Sequence, residues 1–138
     1  MFLRSLNLKD FRSYSKSQFD FAKNTTVIVG PNTAGKTNFT EAISMLSAGK
    51  SLRAEKDEDI IGFGQTSARI TGEIGLDLDD KDTTELQIIL VRQENERVAK
   101  KFLINKVAKR RVDFAGNLLS VFFSPEDLDI IIGGPSLR

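Results

Sequence analysis

Residues 25–49 read TTVIVGPNTAGKTNFTEAISMLSAG, and the reading of this stretch sets the fold class. Its centre, Gly30-Pro31-Asn32-Thr33-Ala34-Gly35-Lys36-Thr37, matches G-x-x-x-x-G-K-[ST]. Upstream, residues 25–29 are a β-branched apolar run closed by a glycine, which predicts a buried, parallel strand. Downstream, residues 36–48 set Phe39, Ala42, Ile43 and Leu46 on one apolar stripe of a helix, and Gly49 stands where a C-terminal cap is expected. A strand, a glycine-containing turn and a helix start bring successive backbone amides and the positive helix end to bear on one anion. Lys36 would reach the β- and γ-phosphate oxygens of ATP, and the Thr37 hydroxyl would ligate Mg²⁺. The pattern arises by chance in roughly one chain in 200 of this length. The strand before it and the helix after it weaken coincidence further.

Working outward, residues 1–9 and 18–21 read as short strands, and residues 51–64 as a polar loop with a helical turn near 57–61. The period then changes. Residues 68–78 alternate, with Ile70, Ile74, Leu76 and Leu78 on one side and Arg69, Thr71, Glu73 and Asp77 on the other. Residues 84–92 read as the return strand, and residues 98–104 and 107–112 as a further hairpin closing at Asn105-Lys106. Lys at the second turn position is a poor substitute for Gly. These are three or four antiparallel strands with one wet face. Residues 118–123 read as another apolar strand. Ser124-Pro125-Glu126-Asp127 then has the chemistry of a helix start: a capping Ser, Pro at the first position and carboxylates at the positive end.

Composition narrows the chemistry. The 138 residues contain no Cys and no His, which removes disulfides, thiolate sites, His-liganded zinc and any His-based triad. Twenty basic against nineteen acidic residues give a net charge of +1, so only the distribution of charge can point to a partner. No apolar run is long enough to span a bilayer, and the N-terminus lacks a signal-peptide profile, so a cytoplasmic protein with no membrane partner is expected.

Two further features bear on function. Nucleotide hydrolysis needs a carboxylate at a strand end to hold Mg²⁺ and a group to orient water. None of the apolar runs after the helix ends in Asp or Glu, and Glu126 and Asp127 are better explained as helix-start carboxylates. Between positions 97 and 111 stand seven Lys or Arg and no acid. Lys106, Lys109, Arg110 and Arg111 could contact a phosphate backbone. The plainer reading, a solvated edge hairpin protected from aggregation, has equal weight.

With these motifs in hand, the chain resembles the N-terminal part of the RecF family, the bacterial recombination-mediator ATPases related to SMC and ABC ATPase heads. The likeness lies in LNLKDFRSY (6–14), GPNTAGKTN (30–38), GKSLR (49–53), VFFSPEDL (121–128) and GGPSLR (133–138), in the family's order. It implies an α/β P-loop NTPase of ABC-ATPase head type, incomplete, with an antiparallel β-meander after the first helix. It divides the chain into a P-loop core at 1–64, an antiparallel β-subdomain at 65–112, and a turn and helix at 113–138 in the place of the Q-loop. There is no Gln in that turn. The resemblance also implies replication and gap-repair work with RecO and RecR, a part in the SOS response, and binding of single-stranded or junction DNA. An ATP-dependent homodimer and weak ATP hydrolysis are implied with them.

By the same resemblance Gly30 to Asn38 hold ATP with Arg12 near its phosphates, and Arg53 serves the same neighbourhood or DNA. RecF proteins are more than twice as long, and their Walker B, signature, D-loop and switch histidine lie further on. The chain is therefore expected to be a truncated product or a partial reading frame that cannot turn ATP over alone. The apolar faces of 25–29 and 118–123 are expected to be partly uncovered in it. Two readings from other classes stand beside this one: a small P-loop phosphotransferase, and a DNA-binding module with a vestigial P-loop.

Overall fold

A computed structural model describes residues 1–32, 35–77, 79–124 and 127. One antiparallel sheet dominates it. The strands are β1 (Phe2–Phe11), β2 (Tyr14–Asp20), β3 (Ser67–Gly75), β4 (Thr84–Arg92), β5 (Val98–Ile104) and β6 (Val107–Lys109), in the order β2-β1-β3-β4-β5-β6. Helix α1 (Lys36–Ala48) lies between β2 and β3 in sequence, a 3-10 turn covers Asp57–Ile60, and α2 is the single turn Arg111–Phe114. β1 pairs with β3, so the hairpin that precedes the glycine-containing turn and the meander that follows the helix form one continuous sheet.

The register explains the burial. Leu8, Ile70, Ile88 and Phe102 stand side by side across four strands, and all four are buried. Leu6, Gly72 and Leu86 make the next row. Phe39, Ala42, Met45 and Leu46 of α1 cover these rows, and Ile60, Ile61 and Phe114 close the margins of the same core. Full burial of each Leu or Ile is worth about 1.5–3 kcal/mol relative to exposure. Gly72 permits the close approach of helix to sheet: a Cβ there would lie 2.5 Å from Leu46 Cδ1. Edge-to-face stacking of Phe19 on Phe39, with centroids 4.8 Å apart, fastens β2 to the start of α1.

Several expectations need correction. Residues 25–29 form no strand; Val27 and Val29 are largely exposed, and no described segment pairs with them. A run that is apolar on both faces needs neighbours on both edges and cover on both sides. The described residues supply neither. The same holds for 118–123, where Leu119, Val121 and Phe123 are exposed and only Leu118 is buried. The expected uncovering of these two segments is thus seen, but in irregular chain and not in strands.

The strand over 107–112 stops at Lys109, because Arg110 and Asp113 close a helical turn in its place. β3 ends at Gly75, leaving Leu76 exposed; Leu78 lies outside the described residues. On α1 the buried stripe is rotated toward Glu41, Ser44 and Met45, with Ile43 only partly covered. β2 starts at Tyr14, well before residue 18, because Tyr14 pairs with Phe11 across the hairpin.

Candidate functional site

The site is built around the first turn of α1. Gly35 is the residue before the helix, at φ +82, and a Cβ there would sit 2.7 Å from Ser13 Oγ. Only glycine fits that position without strain. Among the described residues no side chain caps the helix start, and its first turn holds no acidic residue. Its orphan amides and positive end are thus left available to an anion, which is the donor set a phosphate requires. The Tyr14 hydroxyl donates to the Gly35 carbonyl at 2.9 Å, and burial pushes the Tyr14 phenol up. Lys36 Nζ donates to the Gly30 carbonyl, closing the loop on itself. Pro31, Asn32 and Thr37 are exposed, while Thr33 and Ala34 lie outside the described residues.

The two arginines named from sequence meet at a residue that sequence reasoning missed. Glu41, one turn beyond Thr37, is buried, and both of its oxygens accept from Arg12, at 2.9 Å from Nε and 2.8 Å from Nη2. Ser51 Oγ donates to the same carboxylate, and Arg53 Nη1 stands 3.7 Å from its other oxygen. Arg53 also donates to Asn38 Oδ1 at 3.2 Å, and Asn38 Nδ2 donates to Ser13 Oγ. Breaking such a buried, hydrogen-bonded pair costs about 3–5 kcal/mol. The signal in the sequence was an acid sharing a helix face with Met45, four residues on.

Arg12 is held from its backbone as well. It sits at φ +50, its N–H donates to the Ile60 carbonyl at 2.9 Å, and the Gly62 N–H donates to the Asp10 backbone carbonyl at 2.7 Å. A non-glycine residue there stores strain that its surroundings must over-determine.

Two clefts flank this first turn. One, of about 1050 Å³, is lined by Arg12, Ser13, Asn38 and Arg53 together with residues of the 54–65 loop. The other, of about 830 Å³, lies between α1 and the 118–127 segment and is lined by Thr37, Arg53, Ser124 and Asp127 among others. Asp127 accepts from the Ser124 N–H at 2.6 Å, the reciprocal bond of a helix start. Pro125, Glu126 and the helix expected after them lie outside the described residues. Among the described residues there is no group of three or more acids that could hold a metal ion.

The basic stretch does not form one surface. Lys100 turns inward and pairs with Asp57 at 2.9 Å. Arg110 makes two hydrogen bonds to Asp113, which hold that carboxyl below its usual range. The Arg111 stem lies over Gly49, and Arg53 is committed to Glu41 and Asn38. Lys106, at φ +66, and Lys109 are exposed. The stretch is free of acids in sequence, but the fold brings two to it.

The family model described as RecF/RecN/SMC N terminal domain matches residues 2–129. The DNA replication and repair protein RecF of Oenococcus oeni is 41% identical over all of this chain and 35% of its own length. The chain thus spans about a third of the curated relatives it matches. The solved recombination mediator RecF-ATP of the RecFOR pathway superposes with TM-score 0.80 at 29% identity, over 99% of this chain and 36% of that one. A chain from structural work on ATP-driven dimerisation and DNA-stimulated activation of SMC ATPases superposes with TM-score 0.70 at 22% identity, covering 96% and 98%. That last likeness concerns the fold alone.

Proposed function

The chain belongs to the RecF/RecN/SMC N-terminal domain family, and on that premise we propose that it is the ATP-binding N-terminal portion of a RecF-type DNA replication and repair protein. Its fold class follows: an incomplete P-loop ATPase head with an antiparallel meander after the first helix. The observation that carries the reading is the uncapped, acid-free start of α1 behind a left-handed Gly35, with Arg12 and Arg53 drawn to it by buried Glu41.

In this reading the backbone of Gly30 to Lys36, through the N–H groups of every residue but Pro31, and the Lys36 ammonium hold the phosphates, with Asn38 lining the approach. Arg12 stands beside them with its guanidinium shared with Glu41, and Thr37 serves Mg²⁺. Mg²⁺, when bound, screens the phosphate charge and orients the γ-phosphate. Of the acids nearest the first turn, Glu41 is held by Arg12 and Asp127 accepts from the Ser124 N–H, while Glu55, Glu58 and Asp59 line the adjoining cleft and not the one that Thr37 borders. Binding without multiple turnover is therefore expected of the 138 residues by themselves.

DNA, RecO and RecR, and an ATP-dependent second copy are the partners this reading assigns to the longer protein, acting in the cytoplasm. The exposed Lys106 and Lys109, with Arg111, are the hairpin's candidates for DNA. The test is DNA binding with and without Mg·ATP. Tighter binding with nucleotide supports the reading. Nucleotide-independent binding favours a DNA module with a vestigial loop, and phosphoryl transfer to a small acceptor favours a phosphotransferase.

A further inference from the structure

The sheet face turned away from α1 carries a charge pattern that the nucleotide site does not use. Register sets its outward residues into transverse rows. One row runs Lys16, Lys9, Arg69, Ile89, Lys101 through β2, β1, β3, β4 and β5. Its four basic residues are exposed, and none has an ion-pair partner among the described residues. The next row is neutral: Gln18, Asn7, Thr71 and Gln87, with the Gln87 amide donating to Thr71 Oγ1 at 3.0 Å. The row after that holds Asp20, Ser5, Glu73 and Glu85. A shallow cavity of about 340 Å³ opens at the basic end, where Asn7, Lys9, Lys16, Gln18, Arg69 and Thr71 line it.

Folding alone does not account for this arrangement. Lys9 stands directly opposite Lys16 on one side and Arg69 on the other. Like charges placed so are destabilising. Lysines protect edge strands from further pairing, but β1 and β3 are interior strands. A solvated face needs polar residues and not a single sign of charge. Strands spaced about 4.8 Å apart make the row about 19 Å long, the rise of five or six nucleotides along one DNA strand.

We propose that this outer face docks the sugar–phosphate backbone of DNA. The basic row takes phosphate oxygens, the amides of Gln18, Asn7 and Gln87 donate beside it, and the acidic row sets where the contact ends. The inference rests on the DNA-binding reading above and extends the contact from the hairpin lysines to the sheet. An acidic protein segment is the rival occupant.

The test is fluorescence anisotropy of the chain with a short labelled duplex and Mg·ATP, over a range of salt. Lys9→Gln/Arg69→Gln/Lys101→Gln should lose about tenfold or more in affinity, and its slope of log K against log salt should fall by about 2–3, near 0.9 per lost phosphate contact. Lys50→Gln, at an exposed lysine just after α1 and so off this face, should lose less than about threefold. Lys9→Gln alone should raise Tm by about 1–2 °C as the opposed charges are relieved, which separates lost binding from lost folding. A row variant that binds DNA with unchanged affinity and slope would overturn the inference and leave the DNA reading intact. Absence of DNA binding by the wild type would overturn both. Equal affinity for poly-glutamate would transfer the face to an acidic protein partner.

Discussion

β4 and residues 25–29 are both rich in β-branched residues and opposite in fate. β4 carries Leu86, Ile88 and Leu90 at full burial, while Val27 and Val29 stand in the open. The difference lies in pairing. β4 alternates, so one face suffices for its core, and β3 and β5 bond to both of its edges. Val27, Ile28 and Val29 are apolar on successive positions, so both faces ask for cover, and no described strand reaches either edge. Apolar sequence states a demand for burial; only partners on the ladder meet it. The site sits on the boundary between these regions: Gly30 follows the uncovered run, and α1 rests on the closed sheet.

The largest expected effect lies on the closed side. Glu41→Ala leaves the Arg12 guanidinium without its partner and should cost about 3–5 kcal/mol in urea unfolding. A loss under 1 kcal/mol would show that this pair is solvated in solution. Ile88→Ala should cost about 2–5 kcal/mol, whereas Val29→Ala, at a residue 88% exposed, should stay within about 0.5 kcal/mol. Similar costs at the two positions would erase the contrast. Val27→Thr/Val29→Thr/Val121→Thr should instead lower self-association in sedimentation, because it removes exposed apolar surface.

Smaller effects test the fittings of the site and the hairpin. Tyr14→Phe removes the bond to the Gly35 carbonyl and should cost about 0.5–1.5 kcal/mol. With the folded Tyr14 pKa raised, the contribution is present below the unfolded value of 10.0 and is lost as pH rises through the folded one. The difference between wild type and Tyr14→Phe should therefore shrink in strongly alkaline buffer. Lys106→Gly should stabilise by about 1 kcal/mol, since Asn105 and Lys106 both sit at positive φ.

Some of this was legible in the residues. Helix α1 spans 36–48 as its stripe and Gly49 indicate, and β4 and β5 fall where alternation puts them. Local pattern sufficed there because each element's own period names the face it buries. The strand at 25–29 was misread because its burial depends on neighbours that its own sequence does not contain. Glu41 was missed because a charge on an apolar helix face has meaning only once Arg12 and Arg53, far away in sequence, arrive beside it. The basic row is invisible from sequence for the same reason. Lys9, Lys16, Arg69 and Lys101 become neighbours only through strand register.

The central claim is that residues 30–37 form a nucleotide-phosphate site, and equilibrium titration of a fluorescent ATP analogue with Mg²⁺ tests it most directly. Wild type should bind saturably, and Lys36→Ala, which removes the loop's own ammonium, should lose most of that affinity, by about tenfold or more. Its melting temperature should stay near that of the wild type, because Lys36 makes its hydrogen bond to the loop carbonyl of Gly30 and not to the core. Equal nucleotide affinity in the two proteins would contradict the assignment.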